Sequence, residues 1–105
     1  MIRAEFRVTG SGSYKGFSVK GHSGYAEAGS DIVCASVSSA VMLTVNTATE
    51  HFGVKLKLKS SDGDIECGVE EITQMSDKLI DSLRAHLSMV AEEFPGYLKV
   101  NISEV

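Results

Sequence analysis

The sequence predicts an α+β fold of two layers, an antiparallel or mixed sheet covered by two helices, with its elements in the order ββαββαβ. Three observations lead there. Several short stretches alternate apolar and polar residues, the period of a strand with one buried face. Two segments, 31–52 and 74–94, run without Gly or Pro and are too long for strands. Glycine-bearing turns separate these elements, with no linker, internal repeat or low-complexity stretch, so residues 1–105 form one domain.

In residues 2–9, Ile2, Ala4, Phe6 and Val8 lie on one face and Arg3, Glu5 and Arg7 on the other, which makes the first strand. The Gly- and Ser-rich stretch 10–16 is turn chemistry, and 17–21 returns antiparallel, setting Phe17 and Val19 against Ser18 and Lys20. Residues 21–30 carry Gly21, Gly24 and Gly29 without periodicity and read as a loop open to function. In 31–52, Ile32, Val33, Val37, Val41, Val45, Ala48 and Phe52 are spaced for a largely buried helix that Gly53 ends. Its β-branched residues lower helix propensity, but the length decides. Segments 54–59 and 64–70 alternate and are joined through Asp62-Gly63, a strong hairpin signal. Lys55, Lys57 and Lys59 share the solvent face with Glu66 and Glu70, a charge-balanced surface. Thr73 caps a second helix, 74–94, with Met75, Leu79, Leu83, Leu87, Val90 and Phe94 in one stripe and Pro95-Gly96 as its stop. Leu98, Val100 and Ile102 make the last strand.

The charge balance narrows the function. Ten basic against fourteen acidic residues give a net charge of −4, opposite to a phosphate-tracking surface, so no direct nucleic-acid partner is expected. The excess is uneven: residues 1–60 carry seven basic and four acidic side chains, and 61–105 carry three and ten. The first five residues include Arg3 and Glu5 and no apolar run, so we expect neither a signal peptide nor a membrane span, and a cytosolic location. Two cysteines in that compartment are expected to be free thiols. His22, Cys34, His51, Cys67 and His86 include no short C-x-x-C or H-x-x-x-H pair, so no metal is expected. Gly10-x-Gly12 leads into a strand instead of a helix, which removes the context of a dinucleotide site and leaves no cofactor implied. A domain this small has little room for an enclosed cavity, so an active site belongs at an edge or under a loop.

Cys34 is the residue that carries chemistry. Asp31 is a good N-cap, which puts Cys34 in the first helical turn, at the positive end of the macrodipole, where thiols titrate below their usual value of about 8.5. The plain alternative is a small buried hydrophobe. Cys67, flanked by Ile65 and Val69 on a core-facing strand position, fits that alternative. His22 ends the second strand and opens the glycine loop, so its imidazole can approach the start of the Cys34 helix as a general base. Asp31 either caps the helix or orients His22 as a third member. Ser38, one turn beyond Cys34, either lines the site or bonds back to its own helix. His51 and His86 read as helix-edge residues.

The run Gly21-His22-Ser23-Gly24-Tyr25-Ala26-Glu27, followed by Gly29-x-Asp31-Ile32-Val33-Cys34-Ala35-x-Val37-Ser38, closely resembles the signature G-H-x-G-Y-A, G-x-D-I-V-C-A-x-V-S of the ribosomal-processing cysteine proteases, the Prp family. The length and element order agree over essentially the whole chain. The resemblance implies a His22–Cys34 dyad in a homodimeric endopeptidase. It further implies that the enzyme removes the N-terminal extension of a large-subunit ribosomal protein, the twenty-seventh in the bacterial naming, cutting after an aromatic residue. On this reading Ser23, Gly24, Tyr25, Ala26, Glu27 and Gly29, within 23–30, form a lid, while Gly21 and the helix start hold the oxyanion and Ser38 lines the substrate side. Two other readings compete: a non-catalytic ribosome-assembly or peptide-binding module, and a redox-sensing thiol, which lacks a nearby resolving cysteine.

Overall fold

Alternation along the first residues produces β1 (Ile2–Val8), and the chain then runs through β2 (Tyr14–Lys20), α1 (Ile32–Asn46), β3 (Leu56–Ser61), β4 (Asp64–Val69), α2 (Gln74–Glu93) and β5 (Leu98–Glu104). The computed structural model describes residues 1–27 and 29–105. The five strands form one mixed sheet in the order β3-β4-β2-β1-β5. The two expected hairpins are present, and two further pairings complete the sheet: β2 antiparallel to β4, and β1 parallel to β5. This is the ββαββαβ α+β architecture expected from the sequence.

One face of the sheet presents Ile2, Ala4, Phe6, Phe17, Val19, Cys67 and Leu98 to the helices. Helix α1 answers with Val33, Val37, Val41 and Val45, and α2 with Ile80, Leu83, Leu87 and Val90. Phe6 stacks on Phe17 with ring centroids 5.6 Å apart at the centre of this core. The opposite face carries Arg7, whose guanidinium meets the Glu66 carboxylate at 2.6 Å.

Four expectations are corrected. The second strand begins at Tyr14 instead of Phe17. Tyr14 is drawn into the sheet because its hydroxyl donates to Asp81 at 2.6 Å and its backbone N–H donates to Asp77 at 2.9 Å, both on α2. Gly16 is therefore a strand glycine: a Cβ there would lie 2.4 Å from the Cys67 carbonyl oxygen, so the close β2–β4 approach requires its absence. The first helix is only half buried. Its valines at i, i+4 spacing face inward, while Ile32, Met42 and Leu43 are 50%, 62% and 69% exposed. Beyond Asn46 the same segment continues as a π-turn (Thr47–His51), and Phe52 is also exposed. By length and composition Ile32–His51 could cross a membrane, yet its valine row packs into the core of the sheet.

The buried stripe of α2 starts at Ser76 and Ile80, not Met75 and Leu79. A serine can take a core position here because it completes a capping box: Ser76 N–H donates to Thr73 Oγ1 at 3.0 Å and Thr73 N–H donates to Ser76 Oγ at 2.8 Å. The lysine comb is also less paired than expected. Lys59 lies opposite Glu66 in register, but Glu66 is held by Arg7, and the ion pair of Lys55 is with Glu71 at 3.6 Å.

Leu87, fully buried between α2 and the sheet, gives a direct test of this core. Leu87→Ala should destabilise the domain by about 2–5 kcal/mol, read as a lower urea midpoint, through lost burial and the cavity left behind.

Candidate active site

The site forms where β2 ends and α1 begins. Asp31 adopts extended backbone (φ −81°, ψ 104°) and caps α1, its Oδ1 accepting the N–H groups of Val33 and Cys34 at 3.0 Å each. Its Oδ2 accepts the Ser23 hydroxyl and the Ala26 N–H, the latter at 3.3 Å. These donors, led by the Ser23 hydroxyl, lower the Asp31 carboxyl to about 2. Of the two roles open to Asp31, the structure shows the cap. Both oxygens are committed to the loop and the helix, and among the described residues neither meets His22.

Cys34 is partly buried in the first turn of α1. The Ser23 N–H donates to its Sγ at 3.4 Å, and the thiol lies 3.5 Å from Ser23 Oγ. Ser23, read from sequence as part of a lid, is thus a buried residue, 4% exposed, that links Cys34 to Asp31. The Tyr25 N–H also donates to Ser23 Oγ, at 3.2 Å. Tyr25 packs edge-on against Phe94 at 5.5 Å and Tyr97 at 5.1 Å, which pins the loop to the α2–β5 corner. Gly24 and Gly29 have positive φ (+71° and +91°) in open space, and Ser30 N–H turns back onto the Glu27 carbonyl at 3.0 Å. Ala28, within the expected lid, lies outside the described residues.

His22 is exposed and shares one open cleft of about 600 Å³ with Cys34, together with Ala26, Gly29, Asp31, Ala35, Ser38 and Asp62. Among the described residues no hydrogen bond joins His22 to Cys34. An adjoining cleft of about 300 Å³ runs from Cys34 and Ser38 past Val37 and Met42 to the β3–β4 turn at Asp62 and Gly63. Ser38 lines both clefts, and its hydroxyl makes no bond back to its helix among the described residues, whereas Ser36 donates to Ile32 O at 2.7 Å.

Gly21 departs from its expected role. Its N–H donates to the Gly63 carbonyl at 2.8 Å, so that group is spent on the sheet and is not an oxyanion donor. Its φ of +94° and the 2.7 Å a Cβ would leave to the Met1 carbonyl oxygen explain the glycine. The Asp62-Gly63 wall was missed as part of the site, because the hairpin signal locates a turn without revealing that β4 pairs with β2. Cys67 is fully buried, and burial raises its thiol to about 11, so it is a core residue. His86 faces a shallow groove between α1 and α2 far along the helices.

A small α+β domain that sets a cysteine thiol and a histidine imidazole on one open cleft falls in the class of cysteine peptidases. The family model for the cysteine protease Prp matches residues 1–99, and the chain belongs to that family of cysteine proteases. The fold is shared with the essential ribosomal processing protease Prp of S. aureus bearing a covalently linked product peptide (TM-score 0.92, 22% identity, 98% of this chain and 100% of that one). It is shared also with the same S. aureus protease in complex with a substrate peptide (TM-score 0.84, 19% identity, 98% and 100%). The protein SMU.848 from Streptococcus mutans is similar as well (TM-score 0.81, 28% identity, 100% and 96%). Comparison with curated proteins finds no match.

The commitment of Asp31 has a measurable signature. Its folded carboxyl titrates near 2, below the unfolded value of about 3.9, so its stabilisation is complete above that unfolded value and is lost as the pH falls towards the folded one. Asp31→Asn should lower the urea midpoint at neutral pH, and the gap from the parent should close as the pH falls from about 4 through about 2. A gap independent of pH would contradict the ionised cap.

Proposed function

We propose that this protease removes the N-terminal extension of the twenty-seventh large-subunit ribosomal protein, cutting after an aromatic residue, with Cys34 as nucleophile and His22 as general base. The observation that carries the dyad is the shared cleft: the thiol and the imidazole of His22 face the same open space, bounded by a loop whose Ser23 N–H donates to the thiol. Asp31, held ionised by four donors, is a poor acceptor for the thiol proton, which leaves that task to the imidazole.

The chemistry balances on these residues. His22 takes the Sγ proton, and the thiolate adds to the scissile carbonyl carbon. The tetrahedral intermediate collapses to a thioester as the imidazolium returns its proton to the leaving amine. Water, deprotonated by His22, then releases the carboxylate and regenerates the thiol. The Ser23 N–H donates to Sγ at the start of α1, so the sulfur is held by a backbone donor as it attacks. The Val33 and Cys34 N–H groups are engaged by Asp31, so we assign part of the oxyanion contact to the Ser38 hydroxyl. Bound peptide fills the open cleft between imidazole and thiol and excludes water from it, so that an open site gains its selectivity on binding. The covalently linked product peptide of the S. aureus protease supports a step in which enzyme and peptide are covalently joined. The same reading gives a cytoplasmic location and a homodimer, and the exposed Leu43 on α1 supports the second.

Incubation with the ribosomal precursor, followed by mass spectrometry of the new N-terminus, tests enzyme, substrate and bond together. Cys34→Ala and His22→Ala should each abolish the cut while the far-ultraviolet circular dichroism is retained. Cleavage surviving in either variant would remove the dyad. Iodoacetamide near neutral pH should modify Cys34 in the folded protein and spare buried Cys67. An unreactive Cys34 would return the peptide-binding module as the better reading.

A further inference from the structure

The β3–β4 turn is a wall of the cleft, and the pairing of β4 with β2 puts it there. Lys20 lies opposite Asp64 in that ladder, and the pairing continues beyond the strands through the bond from Gly21 N–H to Gly63 O at 2.8 Å. Continued one step further, it brings Asp62 opposite His22, and both residues line the same cleft. The imidazole rests on Gly63. A Cβ on that residue would stand 2.7 Å from His22 Nε2, 3.1 Å from Cε1 and 3.5 Å from Cδ2, inside contact distance of one ring edge.

We propose that Gly63 is a positioning residue: its missing side chain is the seat of the His22 imidazole, so the β3–β4 turn fixes where the general base stands relative to Cys34. The proposal rests on the His22–Cys34 reading above. Turn geometry alone offers a competing reason for the glycine, since Gly63 has φ +69° and a side chain there is strained in any surroundings. Gly53 separates the two reasons. It has nearly the same φ, +62°, with nothing within 4 Å of a built Cβ. Asparagine separates them a second way, because it tolerates left-handed backbone better than alanine yet brings the same Cβ towards the ring.

The experiment compares Gly63→Ala, Gly63→Asn and Gly53→Ala by urea unfolding and by kcat and KM for cleavage of the ribosomal precursor. Gly63→Ala and Gly63→Asn should both lose about 10–100-fold in kcat, as expected for a displaced base. The loss should fall on kcat more than on KM, since it is the ring that is displaced from the cleft wall it shares with Cys34. Gly53→Ala should lose stability and keep the parent's kcat. A Gly63→Asn enzyme with the parent's kcat would overturn the positioning role while leaving the dyad intact. Rescue by Asn of a defect seen with Ala would do the same, by assigning the glycine to backbone strain. Cleavage retained by His22→Ala would instead overturn the dyad, and the seat with it.

Discussion

The Asp31 carboxylate is the junction on which the site depends. One oxygen satisfies two backbone donors at the start of α1, and the other holds a hydroxyl and an N–H from the preceding loop. A helix start leaves orphan N–H groups that must find partners, and a loop of ten residues with three glycines has little else to fix it. Joining both on one ionised group makes loop and helix a single unit, with Cys34 between them. The position of the thiol is therefore set by a cap more than by the packing of its own side chain.

The fold was largely legible because its signals are local. Alternation marks strands β1 and β4, the Asp62-Gly63 pair marks a hairpin, and Thr73 with Pro95-Gly96 brackets α2. What could not be read is non-local. Nothing in residues 14–20 or 64–69 announces that β2 and β4 are neighbours, and that pairing carries Gly63 to Gly21 and the imidazole to the turn. The half-exposed α1 was misjudged for a related reason: apolar residues occur all round it, and only the tertiary structure selects the valine row over Met42 and Leu43. Ser76 escaped notice because a hydroxyl satisfied within its own capping box costs little to bury.

The places of Cys34 and Asp31, a first helical turn and its cap, were legible from position, whereas His22, expected to end the second strand, lies two residues beyond it because β2 stops at Lys20. The charge of the site was less legible. The sequence divides into a slightly basic first part and an acidic second part, which suggests a near-neutral site. The β3–β4 turn, however, lays Asp62 and Asp64 from the acidic part along the cleft walls beside Asp31. Proximity in the sheet, not in the chain, sets the local charge.

The parallel pairing of β5 with β1 has a kinetic consequence. Ile2 registers with Leu98 and Val8 with Glu104, so the sheet is completed by contacts between opposite ends of the sequence. Such contacts are paid for late in folding, after the longest loop has closed. During synthesis β1 emerges first and keeps one edge bare until the last strand arrives. The cleft lies on the other side of β1 from that edge, so its walls, the end of β2, the start of α1 and the β3–β4 turn, are all synthesised before the strand that completes the sheet.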